Sequence, residues 1–127
     1  MPLVITETHG VVRHVVLNRA DKRNAFNGEL VLAVGEALRA AAEDAGVHCV
    51  VLRGLGPMFS SGMDLASLGD LAANPQNLRA FRSACLDAWN LAETMAKPTI
   101  CVIHGACIGG AMAVSYTHLT LPTTPYV

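Results

Sequence analysis

Two glycine-containing turns hold the residues whose types and spacing could do chemistry. The first spans residues 58–65, with the sequence Met-Phe-Ser-Ser-Gly-Met-Asp-Leu, and the second spans residues 104–112, His-Gly-Ala-Cys-Ile-Gly-Gly-Ala-Met. Each turn follows a short apolar run and precedes a stretch with helical character. A helix that begins after such a turn leaves backbone N–H groups unpaired, where the helix dipole favours negative charge. Two such turns together could hold one oxygen between two amides, which stabilises an enolate or a tetrahedral oxyanion.

Other chemistries that use glycine turns or reactive side chains do not fit these residues. Neither turn matches the GxGxxG or GxxxxGK[ST] pattern of phosphate-binding loops, and no lysine is placed to reach a phosphate. Ser60 and Ser61 do not form a GxSxG elbow, which argues against a serine hydrolase. The histidines show no ligand spacing for a metal, so the sequence predicts no metal site.

The elements predicted around the turns indicate an α/β fold. Residues 3–8 and 11–17 have the pattern of a β-hairpin, and a loop at 18–26 leads to a helix that Asn27 caps and Gly46 ends. The remaining predicted elements are a buried strand at 47–53, a helix from Asp64 to Ala73, a helix from Gln76 to Ala96 and a buried strand from Thr99 to His104. Strands separated by helices favour mostly parallel pairing.

Composition and charge restrict the class of protein. Of the 127 residues, 52% are hydrophobic and 15% charged, which is typical of one soluble globular domain. A net charge of −1 provides no clustered basic surface for nucleic acid, no apolar run is long enough for a membrane span, and no signal-peptide pattern is present. The four cysteines form no CxxC pair and lie mostly in apolar runs, which indicates buried, reduced thiols. We therefore expect a cytoplasmic protein, or one of an organelle matrix.

A modest concentration of positive charge lies in the loop that precedes the first long helix. Arg19, Lys22 and Arg23 fall within a few positions of one another. Such a cluster is compatible with a solvated loop and equally with a contact to a phosphate group. The sequence leaves both interpretations open.

The two turns, in this order and preceded by this loop, resemble the crotonase superfamily of acyl-coenzyme A enzymes. Residues 18–26 are similar to the family segment N-R-P-[DE]-K-x-N-[AS]-[LF], with alanine in place of the proline. Residues 58–65 are similar to [AF]-F-[SC]-[AS]-G-x-D-[LI], and residues 104–111 to H-G-x-[AC]-x-G-G-G, with alanine in place of the third glycine. The resemblance covers residues 3–113 and implies a crotonase-like ββα spiral core, incomplete because its C-terminal part is missing.

This resemblance implies an enzyme that binds an acyl-CoA thioester and stabilises its enolate in an oxyanion hole, as enoyl-CoA hydratases and isomerases do. By position, the two amides of the hole fall on Met63 and Gly110. The residues that match the family's CoA-contacting segments, mostly through their backbone, are Arg23, Asn24, Ala25, Ser61, Asp64 and Leu65. No separate cofactor is implied, because coenzyme A is carried on the substrate. The parent protein is expected to form a homotrimer or hexamer.

The acid–base residues are where the sequence departs from the family. Hydratases of the family use two glutamates, of which one lies further along and the other just after the second turn, where this chain has Ala113. Composition also changes near residue 114, because residues 115–127 hold four of the eight threonines and two of the six prolines, which a helix does not favour. Either the parent is isomerase-like and uses a downstream carboxylate, or a non-native tail has replaced the glutamate.

These features predict a partial acyl-CoA-binding domain over residues 1–114 and a non-native tail over 115–127. A genuine irregular tail is the alternative. The chain would then be the N-terminal half of an enzyme, without acid–base groups, and would not hydrate enoyl-CoA by itself. Two other classes remain open. A non-catalytic acyl-CoA-binding homologue would lack carboxylates downstream as well, and an unrelated α/β module would not be stabilised by acyl-CoA.

Overall fold

A computed structural model of the chain describes residues 2–107. Gly110, Ala113 and the predicted tail at 115–127 lie outside the described residues, so the predictions made for them stay predictions. The elements, in chain order, are β1 (Val4–His9), β2 (Val12–Leu17), a single 3-10 turn (Ala20–Lys22), α1 (Gly28–Glu43), β3 (Cys49–Gly54), α2 (Leu65–Ala72), α3 (Pro75–Thr94) and β4 (Thr99–Cys101). Among the described residues, no helix combines the length and the apolar character that crossing a lipid bilayer requires.

The four strands form one sheet in the order β1-β2-β3-β4. β1 and β2 are antiparallel neighbours, which confirms the predicted hairpin. β2 pairs parallel with β3, and β3 pairs parallel with β4, because helices carry the chain back between these strands. The α/β class with mostly parallel pairing is therefore confirmed.

The hydrophobic core lies between this sheet and the helices α1 and α3. Side chains that alternate along β2 and β3, among them Val15, Leu17 and Leu52, meet the apolar stripe of α1. Trp89 on α3 packs against this core, with its ring 5.7 Å from that of Phe26 in an edge-to-face arrangement. Trp89 is therefore part of the packed interior.

The N-terminal end of α1 agrees with the sequence prediction, and the C-terminal end does not. The Oδ1 atom of Asn27 accepts a hydrogen bond from the Leu30 N–H at 2.9 Å, as expected for an N-cap. The helix ends at Glu43, however, and the prediction that Gly46 stops it was wrong. Asp44 already has an extended backbone. The ammonium group of Lys97 donates hydrogen bonds to the Ala41 carbonyl in the last turn and to the Asp44 carbonyl just after the helix.

The strand predicted for Thr99 to His104 is shorter and less buried than expected. β4 ends at Cys101, and Ile100 is 51% exposed. The reason is its place in the sheet, since β4 is an edge strand and no described element pairs with its outer side.

None of the four cysteines forms a disulfide bond within residues 2–107. Cys85 is buried, as predicted, while Cys49, Cys101 and Cys107 are only half-buried. Burial raises the pKa of Cys85 to about 11 and the pKa of Cys101 to about 12. These two thiols are therefore protonated at neutral pH and poor nucleophiles.

Candidate functional site

The first turn, residues 58–65, runs parallel to the loop 18–26 and is hydrogen-bonded to it over a few residues. The N–H of Phe26 donates to the Gly62 carbonyl at 2.7 Å, and the N–H of Asp64 donates to the Phe26 carbonyl at 2.9 Å. One step earlier, the N–H of Ser61 donates to the Arg23 carbonyl at 3.0 Å. This pairing fixes the peptide groups on both sides of Met63.

The amide of Met63 points away from this pairing. A trans peptide bond is planar and places its C=O and N–H on opposite sides, so the bond from Phe26 to the Gly62 carbonyl turns the Met63 N–H outward. Within residues 2–107, this N–H donates no hydrogen bond. A half-buried amide that is held rigidly and has no partner is what a site for a developing oxyanion requires.

Gly62 is the residue that permits this geometry. Its φ angle of 92° lies in the region that residues with a side chain rarely adopt. The glycine of the turn therefore has a conformational role directly before Met63.

The beginning of the second turn lies beside the first. The Phe59 N–H donates to the His104 carbonyl at 2.8 Å, and Ser60 forms a parallel bridge with Cys107. Gly105 has a φ angle of 61°, and a Cβ atom there would lie 2.5 Å from the Pro57 carbonyl oxygen. The two turns are therefore neighbours as far as residue 107, whereas the predicted second amide lies beyond the described residues.

Asn24 is a buried connection between the loop and the first turn. Its side-chain Nδ2 donates to the carbonyl groups of Leu55, Met58 and Phe59 at 2.8, 3.2 and 3.0 Å, and its Oδ1 accepts from the Arg19 N–H at 2.9 Å. The residue is fully buried, with a left-handed φ of 54°. Its side chain is thus occupied within the protein, and any contact of Asn24 with CoA must come from the backbone.

Arg19 was among the residues left open between a solvated loop and a phosphate contact, and the structure shows a third arrangement. Its guanidinium donates to Asp64 Oδ2 and to the Ala25 carbonyl, each at 2.8 Å. The side chains of Arg19 and Asp64 are both 15% exposed. Lys22 and Arg23 are exposed and form no ion pair or side-chain hydrogen bond with described residues. Only these two cations of the cluster are available to an external anion.

Asp64 supports the turn as the N-cap of α2. Its Oδ1 accepts from the Ala66 N–H at 3.1 Å. The Arg19 guanidinium, followed by hydrogen bonds from Ser67, holds the pKa of the Asp64 carboxyl below its usual range despite partial burial. Arg19 also offsets a negative charge next to Met63, where it would repel an oxyanion.

We expect Asp64→Asn to lower the free energy of unfolding by about 1 kcal/mol near neutral pH, because asparagine keeps the N-cap but loses the ion pair. The folded-state pKa of Asp64 is depressed, so its contribution is present above the unfolded pKa of about 4 and is lost as pH falls through the folded pKa. Urea denaturation at several pH values measures the difference. Asp70→Asn, at an exposed position, is the control, and a difference from wild type that did not shrink as the pH was lowered from 7 towards 2 would contradict this explanation.

The remaining predicted site residues lie around Met63 with different exposure. Leu65 is 80% exposed, Ser61 is half-buried and Ala25 is buried. Beside Met63, the side chains of Leu68, Leu71 and Phe81 from α2 and α3 pack closely against Phe26 of the loop, with Ser67 and Asp64 at their side. Within residues 2–107, no three His, Cys, Asp or Glu side chains form a group that could hold a metal ion.

Sequence reasoning missed two contacts of this arrangement. The ion pair of Arg19 with Asp64 and the hydroxyl of Ser60, which is fully buried between the loop and the turn, had no signal in local sequence patterns. Both positions fall inside the two segments that carried the resemblance, which is the signal that could have indicated them.

Comparison with known proteins gives one consistent family. A family model described as enoyl-CoA hydratase/isomerase matches residues 7–117. The mitochondrial Delta(3,5)-Delta(2,4)-dienoyl-CoA isomerase of Homo sapiens is 33% identical over 119 residues, covering 87% of this chain and 36% of that protein. The hydroxycinnamoyl-CoA hydratase-lyase of Pseudomonas fluorescens is 33% identical over 113 residues, covering 87% of this chain and 41% of that protein.

A solved structure shares the fold. The enoyl-CoA hydratase/carnithine racemase from Magnetospirillum magneticum superposes with a TM-score of 0.86 at 28% identity, over 93% of this chain and 45% of that one. The chain thus spans less than half the length of these relatives. The crotonase-like fold is confirmed over the part that is described, and the chain belongs to the enoyl-CoA hydratase/isomerase family.

Proposed function

We propose that this chain forms part of the acyl-CoA site of an enoyl-CoA hydratase or double-bond isomerase. The thioester oxygen accepts one hydrogen bond from the Met63 N–H and a second from the Gly110 N–H, and the two donors stabilise the enolate that forms during the reaction. The observation that supports this proposal is the Met63 amide, which has no partner among residues 2–107 and which the Phe26–Gly62 hydrogen bond directs away from the loop. Two such donors are worth several kcal/mol in a transition state.

The surroundings of Met63 are suited to the rest of an acyl-CoA. The exposed cations Lys22 and Arg23 lie in the loop that pairs with the turn, where they meet the phosphate groups of CoA. The backbone of Ala25 and Ser61, and the exposed side chain of Leu65, border the pantetheine.

The proton transfers require groups other than those described near Met63. Asp64 is the nearest carboxylate along the chain, but its ion pair with Arg19 and its capping of α2 keep it ionised and occupied. It is therefore not a general acid. The acid–base carboxylates come from outside residues 2–107, and the choice between hydration and isomerisation depends on them. A chain without them binds acyl-CoA but does not turn it over.

Binding of a saturated acyl-CoA tests the proposal without requiring turnover. We expect butyryl-CoA, at about ten times its dissociation constant, to raise the melting temperature by about 5 °C. Free CoA at the same concentration should give a smaller increase, since it lacks the thioester oxygen, and ATP should give little. Equal stabilisation by ATP and butyryl-CoA would show that the site recognises a nucleotide rather than a thioester, and the proposal would be wrong.

A further inference from the structure

The hydroxyl group of Ser60 joins the two segments that hold the Met63 amide. Its Oγ donates to the Asn24 carbonyl at 2.7 Å and accepts from the Gly62 N–H at 3.1 Å. The residue is fully buried, so water cannot replace either bond without entering the protein. Both polar functions of the hydroxyl are therefore used on the loop and on the turn.

The hydrogen bond from the Gly62 N–H to Ser60 restricts the backbone angles of Gly62, the most flexible residue of the turn. A glycine with a φ of 92° has access to a wide range of backbone angles, and rotation about its bonds changes the direction of the following N–H. The Phe26 N–H holds the carbonyl side of Gly62, and Ser60 holds its N–H side. Gly62 is thus fixed from both ends, and the Met63 N–H keeps one direction.

We propose that Ser60 is a positioning residue for the Met63 donor. It touches no substrate atom and acts through the backbone of Gly62. The inference rests on the proposed function, because it gives Ser60 a role in that same site. An isolated packing role would need only a small side chain, whereas two hydrogen bonds to the neighbouring backbone specify an orientation.

The test measures the polarisation of the thioester carbonyl in the bound state. Butyryl-CoA, isotope-labelled at this carbonyl, has a stretching frequency that falls when the oxygen accepts a strong hydrogen bond. Butyryl-CoA has no carbon–carbon double bond, so it is not hydrated. We expect wild-type protein to lower the frequency relative to free ligand, and Ser60→Ala to lose about half or more of this shift. The dissociation constant should change by less than about threefold, since the remaining contacts persist.

Two variants complete the experiment. Ser60→Cys keeps a weak hydrogen-bond donor and acceptor at the same place and should recover part of the frequency shift. This variant also serves as the test if Ser60→Ala folds poorly. Ser83→Ala, at an exposed position on α3, should behave as wild type.

The outcomes separate this inference from the proposed function. If wild-type protein binds butyryl-CoA without any shift of the carbonyl frequency, then the proposed oxyanion site is wrong and Ser60 has no positioning role. A wild-type shift that is unchanged in Ser60→Ala and Ser60→Cys overturns the inference alone and leaves the proposed function standing. A shift reduced in the alanine variant and partly recovered in the cysteine variant, at nearly constant affinity, supports the positioning role.

Discussion

Replacing Met63 by proline is expected to lower the turnover of an enoyl-CoA by about a hundredfold or more. Proline has no N–H, so the substitution removes the donor itself. Within residues 2–107 that N–H makes no hydrogen bond, so the substitution breaks no bond among the described residues. The preceding residue is Gly62, which tolerates the restriction that proline imposes on its neighbour. The measurement is the loss of the conjugated thioester absorbance, in a form of the protein that turns over enoyl-CoA.

The matched variant at this position is Met63→Leu, which keeps the N–H and changes only the side chain. We expect it to retain turnover within about tenfold of wild type, because the donor is a backbone group. The resemblance places the second donor at Gly110, and Gly110→Pro is expected to cause a loss similar to that of Met63→Pro. Near-normal turnover in Met63→Pro, with the protein folded, would show that the thioester oxygen lies elsewhere.

The second large effect is expected from Asn24→Asp, which changes one atom of the side chain. The amide Nδ2 donates to three carbonyl groups, and a carboxylate in its place would direct negative charge at all of them. We expect the free energy of unfolding at neutral pH to fall by about 4 kcal/mol, in the range for an uncompensated buried charge.

The pH dependence of this variant identifies the cause. A carboxyl group buried against carbonyl oxygens has a folded-state pKa above its unfolded value of about 4. The deficit therefore grows as pH rises from about 4 and becomes constant above the folded-state pKa. Urea denaturation between pH 3 and pH 8 measures it, with Asn90→Asp on the exposed side of α3 as the control. A deficit of the same size at every pH would mean that lost hydrogen bonds, and not charge, cause the effect.

Features that depend on neighbouring residues could be predicted from the sequence. Asn27 caps α1, and the helix that follows the first turn begins next to Asp64, because an N-cap needs only a side-chain oxygen and the amides of the next turn. The hairpin of β1 and β2 and the parallel crossovers followed from spacing and apolar pattern. These local rules sufficed for the fold class and for the position of the turn that carries Met63.

Features that depend on distant partners could not be predicted from the sequence. The end of α1 was misplaced because the chain leaves the helix at Asp44, where Lys97, far along the chain, binds the carbonyl groups of Ala41 and Asp44. The strand after Lys97 was predicted as buried because its residues are apolar, but burial depends on whether another strand lies beyond it. No partner within the protein was predicted for Arg19, since nothing near it in the sequence indicates that Asp64 lies 2.8 Å from its guanidinium.

The bonds that orient the Met63 amide have a kinetic consequence. Asn24 reaches Leu55 across 31 positions and Ser60 reaches Asn24 across 36, so each closes a long loop of chain. Closing such loops has an entropic cost that delays non-local contacts relative to hairpins and helices. During refolding, the β1–β2 hairpin and α1 can form before the donor exists. We therefore expect the Met63 N–H to reach its final orientation only late in folding, after the parallel strands have paired.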